Sequence, residues 1–460
     1  MANAMSEQAS PGLSALLVAM QDSPAVPDGW DAVLNLSQSA VQSLVRSNWD
    51  RASRTDDNRS LLWVAPGQVN GHHDIMEVKA DLPLPTVSLS VSHQAAHVSF
   101  GIDSATLRVG KAPAPLVSLL ADTRAVVASD KVSWSDPVEI TQRNSLQLSG
   151  MIPVTVEAAA DGRSFSIGLG LADSDLTLSS HEDGIFSQAV NQNLQNWMAA
   201  QKLSGQIANL KLRDGAEATV LTPANVTARV ADSLDGQPVL QILTGTSPGA
   251  AAPAVSAPVS HPHPHDFCLM VSSKATMTTI AVGYNLGTGD IKLVSMPPQD
   301  GQLHWFAQVH EPMVFEGRFG NQDGEIYATD HAKLYMRFGG STDQGLKLFT
   351  HIDPSSTVQL QLELAAHYPV GISGTGADQV VGLQDGEQSV TANGFYEALV
   401  QPQLETFLNG DIKSDMSKVR MTAVSDLVLR DLTLSGHQLQ FEVAGLPSEL
   451  LIAGKLIPTA

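Results

Sequence analysis

Few residue patterns in this chain could do chemistry, and each can be weighed on its surroundings. Gly245-Thr246-Ser247-Pro248-Gly249 spells the glycine-x-serine-x-glycine pattern of a nucleophile elbow. That elbow raises its serine on a sharp turn between a strand and a helix. Pro248, inside an Ala/Pro/Ser-rich run, denies the helix, so Ser247 is not expected to be a nucleophile. His261, His263 and His265 alternate with prolines in "HPHPH". Alternate side chains of an extended segment face one way, so adventitious binding of Zn, Ni or Cu is feasible. A functional metal site needs further ligands and a fixed outer shell, which a linker does not promise. The run therefore reads as solvated linker, with no metal. His72, His73 and Asp74 in "GHHD" read as a turn. "GISGTGA" at 371–377 is glycine-rich, but no convincing helix follows to complete a phosphate cradle. The carboxylates of Asp31 and Asp266 could share acid/base work, yet their place just before a strand suits a turn or cap better. The expectation is a protein without enzymatic activity and without a cofactor.

Composition narrows the partners. The chain has 460 residues, enough for two or three domains at about 150 residues each. Its 26 Lys and Arg stand against 47 Asp and Glu, a net charge of −21. A polyanion is repelled by that charge, which argues against nucleic acid and against electrostatic adhesion to anionic membranes. The single Cys268 rules out an intrachain disulfide and a cysteine-rich metal site, and it fits a reducing compartment. The apolar run Leu13 to Met20 has no preceding Lys or Arg, so it reads as a mobile arm or a short packed helix, not a signal peptide. No apolar run approaches the roughly 20 residues that span a bilayer. A cytoplasmic protein, or one exported without a recognisable signal peptide, is expected.

Strands dominate the pattern. Val87, Leu89 and Val91 alternate with serines, and Val98, Phe100 and Ile102 resume after a polar turn, which predicts a hairpin. Phe165, Ile167, Leu169 and Leu171 alternate likewise, as do Val358, Leu360, Leu362 and Leu364. Leu432 and Leu434, a Ser-Gly turn, then Leu439, Phe441 and Val443 predict a second hairpin. Such close spacing leaves no room for crossover helices, so the sheets should be antiparallel. Three segments switch to helical period. After Ser37 as N-cap, Ala40, Val41, Leu44, Val45 and Trp49 form one stripe. Phe186, Ala189, Val190, Leu194, Trp197 and Met198 form a second, and Phe395, Ala398, Leu399, Leu404, Phe407 and Leu408 a third, with Gly410 as its stop.

The parts recur on either side of the Pro/Ala/His run. Aligning Asp31 with Asp266 puts Leu34 on Leu269, Leu36 on Val271, Ser37 on Ser272, Ala40 on Ala275, Leu44 on Thr279 and Trp49 on Tyr284. Thr276, Thr278 and Thr279 weaken the second helix. The later helices correspond too: Phe186 with Phe395, Ala189 with Ala398, Val190 with Leu399, and, past an insertion at Pro402, Leu194, Trp197 and Met198 with Leu404, Phe407 and Leu408. This predicts a duplicated unit of helix, strands, helix and strands. Its parts are an N-terminal arm (1–27), a first unit (28–245), a linker or crossing (246–265) and a second unit (266–460).

The opening Gly29-Trp30-Asp31, with Val33, Ser37 and Val41, resembles the start of the 47-kDa and OrfX accessory proteins encoded beside some botulinum neurotoxin genes. Those belong to the tubular lipid-binding (TULIP) superfamily. The resemblance is sharp over about 25 residues after Asp28 and architectural beyond them. It implies an α+β, β-dominated fold: two tandem units of highly curved antiparallel sheet wrapped around long amphipathic helices, forming an elongated rod. It further implies an apolar tunnel that holds a lipid or other amphipath. The candidate lining is Val41, Leu44, Val45, Trp49, Phe186, Leu194, Trp197, Met198, Phe395, Leu404, Phe407 and Leu408. No headgroup-binding residue can be carried over. The same resemblance implies an alternative, a structural accessory with a packed interior that binds a protein partner such as a toxin component.

Overall fold

The computed structural model describes residues 13, 16–18, 20, 25–27, 30–55, 60–69, 72–81, 83–102, 105–111, 132–140, 146–160, 164–170, 174–180, 205–211, 224–245, 261–272, 275–276, 291–299, 302–309, 313–319, 322–328, 333–338, 345–352, 360–375, 379–384, 387–394, 432–446 and 449–459. The chain opens with β1 (Ala32–Ser37), α1 (Gln38–Thr55), β2 (Ser60–Val69), β3 (His72–Asp81), β4 (Thr86–Ser90), β5 (Ala95–Ile102), β6 (Ala105–Lys111), β7 (Ser133–Trp134) and β8 (Val138–Ile140). It continues through β9 (Leu146–Ala158), β10 (Ser164–Leu169), β11 (Thr177–Ser180), β12 (Gly205–Lys211), β13 (Asn225–Asp232), β14 (Pro238–Gly245) and β15 (Phe267–Val271). Then come β16 (Ile291–Gln299), β17 (Gln302–Val309), β18 (Met313–Phe319), β19 (Gln322–Ala328), β20 (Lys333–Phe338), β21 (Gly345–Ile352), β22 (Leu360–Ser373), β23 (Val380–Leu383) and β24 (Glu387–Gly394). The last strands are β25 (Leu432–Leu434), β26 (His437–Gly445) and β27 (Leu450–Pro458).

The protein is β-dominated, as its alternation predicts. The largest sheet has 13 strands in the order β13-β14-β1-β15-β27-β26-β25-β12-β10-β9-β5-β4, with β11 on β9. The remaining strands form sheets of seven, five and two. Both predicted hairpins are present. In β4–β5 Val87 and Leu89 are buried while Thr86 and Ser88 are exposed, and Thr86 lies opposite Ser99. In β25–β26 Leu434 lies opposite His437 across Ser435-Gly436, where Gly436 takes a positive φ of 66° that a residue without Cβ adopts at no cost.

The middle of the large sheet joins early and late parts of the chain. β1 pairs antiparallel with β15, so Leu34 faces Leu269, Ala32 faces Val271 and Leu36 faces Phe267. In the sequence alignment above, Leu34 and Leu269 are counterparts, and Ala32 and Leu36 are the counterparts of Phe267 and Val271. The pairing is thus unchanged when the two segments are exchanged. Its end bonds are reciprocal as well: the Ser37 amide donates to the Asp266 carbonyl at 2.9 Å, and the Ser272 amide to the Asp31 carbonyl at 2.8 Å. One strand outward, the Asp31 amide donates to the Thr244 carbonyl at 3.0 Å, and the Asp266 amide to the Gly454 carbonyl at 2.8 Å. Asp31 and Asp266 accordingly serve the backbone junctions before their strands. A second seam, β12 with β25, also joins segments 28–245 and 266–460.

Both faces of this central sheet are covered. Ala32, Leu34 and Leu36 point into the main core under α1. Val33 points the other way, into a second core with Leu243, Cys268, Met270, Leu451 and Ala453. The N-terminal arm caps that second core with Leu13, Leu16, Leu17, Met20 and Val26, joined by Trp30 just before β1. Between the two readings of this segment, the packed one holds for its described residues.

Only part of the expected helical content falls within the described residues. The stretches with Phe186 to Met198 and Phe395 to Leu408 lie outside them. α1 starts where Ser37 predicts, its Oγ accepting from the Ala40 amide at 3.2 Å. The second cap is formed too: Ser272 Oγ accepts from the Ala275 amide at 3.2 Å, and the Thr276 amide donates to the Ser272 carbonyl at 2.9 Å. Two expectations are corrected. His72, His73 and Asp74 open β3, pairing with Val69, Gln68 and Gly67, and so stand in a strand and not in a turn. His261 and His265 are buried, not solvated, because the end of the crossing packs on itself and on β26, with His261 Nε2 3.0 Å from the His265 carbonyl oxygen and His265 Nδ1 2.9 Å from Glu442 Oε2. At Gly374 the chain bends from β22 toward β23, with no phosphate-cradling helix in the described part.

Candidate ligand site

α1 carries the apolar stripe from which a ligand chamber would be built. A turn of 3.6 residues places Ala40, Val41, Leu44 and Val45 on one face, and all four are buried while Ser43 is exposed. Burial of each Val or Leu contributes roughly 1.5–3 kcal/mol, more than the intrinsic preference of the helix for any one residue. Polar groups on its flank fix the helix's rotation. Gln38 Oε1 accepts from the Leu89 amide of β4 at 3.3 Å, and Arg46 Nε donates to the Pro85 carbonyl at 3.0 Å.

Opposite the stripe stands the concave inner face of the sheet. Phe100 and Ile102 of β5, Leu146, Leu148 and Ile152 of β9, Ile167 of β10 and Leu240 of β14 belong to the same core as Val41, Leu44 and Val45. Trp49 packs against this core with its ring centroid 5.0 Å from that of Phe100, the planes tilted by 49°. Its Nε1 is buried without a hydrogen-bond partner, a donor left in apolar surroundings. Of the twelve expected lining residues, Val41, Leu44, Val45 and Trp49 are therefore brought together. Phe186, Leu194, Trp197, Met198, Phe395, Leu404, Phe407 and Leu408 lie outside the described residues. The sheet-borne half of the wall was not singled out from the sequence, although the alternation in Val98, Phe100 and Ile102 is its signal.

The buried Glu449 and Cys268 lie with the second core. Glu449 is buried and its Oε2 accepts from the Ala25 and Val26 amides at 2.7 and 3.0 Å, tying the N-terminal arm to β27. Burial pushes its carboxyl up to about 7, against the lowering effect of those two amides. Burial also pushes the Cys268 thiol up, which keeps it protonated and unreactive. Asn35 and Gln241 are buried on adjoining strands, and Arg229 Nε donates to Gln241 Oε1 at 2.7 Å while Gln241 Nε2 donates to Asn35 Oδ1 at 3.1 Å. Among the described residues, no three His, Cys, Asp or Glu side chains are grouped to hold a metal ion. No described helix is long and apolar enough to cross a membrane.

No family model and no curated protein matches the sequence. Solved structures do match. P47 from Clostridium botulinum A2 superposes with a TM-score of 0.57 at 10% identity, covering 93% of this chain and 97% of that one. P47 of C. botulinum E1 superposes with a TM-score of 0.56 at 10% identity, covering 93% of this chain and 99% of that one. A lipopolysaccharide binding protein aligns over 94% of this chain and all of its own at 9% identity, with a TM-score of 0.38 too low to bear on the fold. The chain has a TULIP-like fold resembling botulinum P47, as the opening residues imply. At 10% identity the likeness is one of fold.

Proposed function

We propose that this protein is a non-enzymatic binding protein of TULIP type, which holds a lipid or other amphipathic molecule in an apolar tunnel enclosed by helix and curved sheet, with α1 and its packed sheet neighbours as one wall. The carrying observation is the convergence of Val41, Leu44 and Val45 with the Trp49–Phe100 pair on one continuous apolar wall. The described residues of that wall are apolar, and the chemistry they offer is burial of a hydrocarbon chain at roughly 0.8 kcal/mol per CH₂. The reciprocal β1–β15 pairing supports a second part of the proposal, that the chain repeats one unit and carries two such chambers.

Native mass spectrometry of protein purified without detergent, followed by solvent extraction, tests the reading. A bound amphipath, or uptake of fatty acid or phospholipid by stripped protein, is expected. An interior that holds nothing and takes up neither would refute it, and would favour the structural-accessory role that the sequence resemblance implies.

A further inference from the structure

The histidines of segment 261–265 take three different positions beside the ends of β1 and β15, where the Ser37 amide meets the Asp266 carbonyl. His261 Nε2 lies 3.0 Å from the His265 carbonyl oxygen, so that nitrogen donates and Nδ1 is left as a lone pair. Nδ1 is buried with no hydrogen-bond partner. The His261 and His263 rings meet edge to face, with centroids 5.1 Å apart. His263 Nε2 lies 3.1 Å from Asp235 Oδ2, in the turn between β13 and β14. His265 Nδ1 lies 2.9 Å from Glu442 Oε2. Glu442 is the extra residue of a bulge in β26, unmatched between Phe441 and Val443. Lys455 Nζ of β27 donates to the Pro264 carbonyl. One short segment thus grips a turn from the early half of the chain and a hairpin from the late half.

We propose that segment 261–265 is an acid-released clasp between the two halves of the central sheet, held closed by neutral His261 and opened by its protonation. A proton on Nδ1 would create a buried donor with no acceptor, which costs the full desolvation of that group. The resulting cation would face His263 and His265 on its own segment, with Asp235 of the β13–β14 turn as the opposing charge. Glu442 and Lys455 engage the segment at its other end. The ionisation of His261 agrees: burial pushes it down from 6.5 to about 4, the His265 carbonyl and Asp235 pull it up, and His263 and His265 push it further down. The sign follows. The closed clasp binds fewer protons than the open one, so closure is complete above pH 6.5 and is lost as the pH falls toward 4. Between pH 7.5 and pH 5 the opening constant should rise roughly 30-fold.

The test is hydrogen exchange on the full chain, read in peptides spanning 233–240 and 261–271 and corrected for the pH dependence of intrinsic exchange. Wild type should lose protection there roughly 30-fold between pH 7.5 and 5. His261→Gln, whose amide can still donate to the His265 carbonyl, should keep its protection over the same range. NMR of ring-labelled histidine in the wild-type chain decides without any variant, and His261 should titrate below pH 5. A His261 ring that titrates near 6.5, or a wild type whose protection ignores pH, or a variant that loses it equally, would overturn the clasp.

Discussion

Replacing Leu44 by Ala asks whether α1 faces packed side chains or an open space. Leu44 is 0% exposed at the centre of the stripe formed by Val41 and Val45. Truncation removes three carbons, about 2.4 kcal/mol of transfer free energy at roughly 0.8 kcal/mol each. A cavity contribution adds to this because the sheet behind Leu44 can only partly relax. Alanine's slightly better helix propensity returns only a few tenths of a kcal/mol. The expected loss is therefore about 3–4 kcal/mol, inside the range seen for buried leucines. The assay is denaturant unfolding of ligand-stripped protein with an unchanged slope, paired with hydrogen exchange of the α1 amides. Ser43→Ala, one residue away and exposed, is the control and should shift stability by less than about 0.5 kcal/mol. A loss under about 1 kcal/mol for Leu44→Ala would overturn the packing of this side chain against β5 and β9, since it would then border open space and not its sheet neighbours.

Other expectations follow from the same structure. Ser37→Ala and Ser272→Ala should each cost about 1 kcal/mol, with faster amide exchange confined to the turn that each serine caps. Gly454→Ala should be among the most damaging single changes, because its Cβ would meet the backbone carbonyl of Gln440, and soluble yield with thermal melting would show it. Burial holds the Glu449 carboxyl up at about 7 while the Ala25 and Val26 amides oppose that shift, so the stability of the folded chain should fall as the pH rises from about 4.5 to 7. The change amounts to roughly 3 kcal/mol, read by denaturant unfolding at the two pH values; unchanged stability would contradict it. The sign is opposite to that of the His261 clasp, so the two can be separated.

The α1 stripe and its cap were legible because both are local. Ser37, Ala40, Val41, Leu44 and Val45 lie within about two helical turns, and period alone assigns their face. The β4–β5 and β25–β26 hairpins were legible for the same reason, each closing over a few residues. Ser272 was found as a cap only through its alignment with Ser37, since the threonines after it blur the helical signal. GHHD was misplaced because a polar start is compatible with either a turn or a strand, and pairing with β2 decided for the strand. The sheet-borne wall of the candidate site was visible as alternation, but alternation does not say which helix a strand will face.

By its own periodicity, then, the chain determines α1, the β4–β5 and β25–β26 hairpins and the apolar face of α1. Tertiary structure decided that β1 and β15 meet edge to edge, with Leu34 on Leu269, because strand pairing across more than two hundred residues depends on both partners and on no local pattern. It also decided the fate of the polar residues. Glu449 became the buried anchor of the N-terminal arm, and His261 became enclosed with an unpartnered Nδ1. Whether a carboxyl or an imidazole is charged depends on the burial and the partners it meets, and the packed chain alone supplies both.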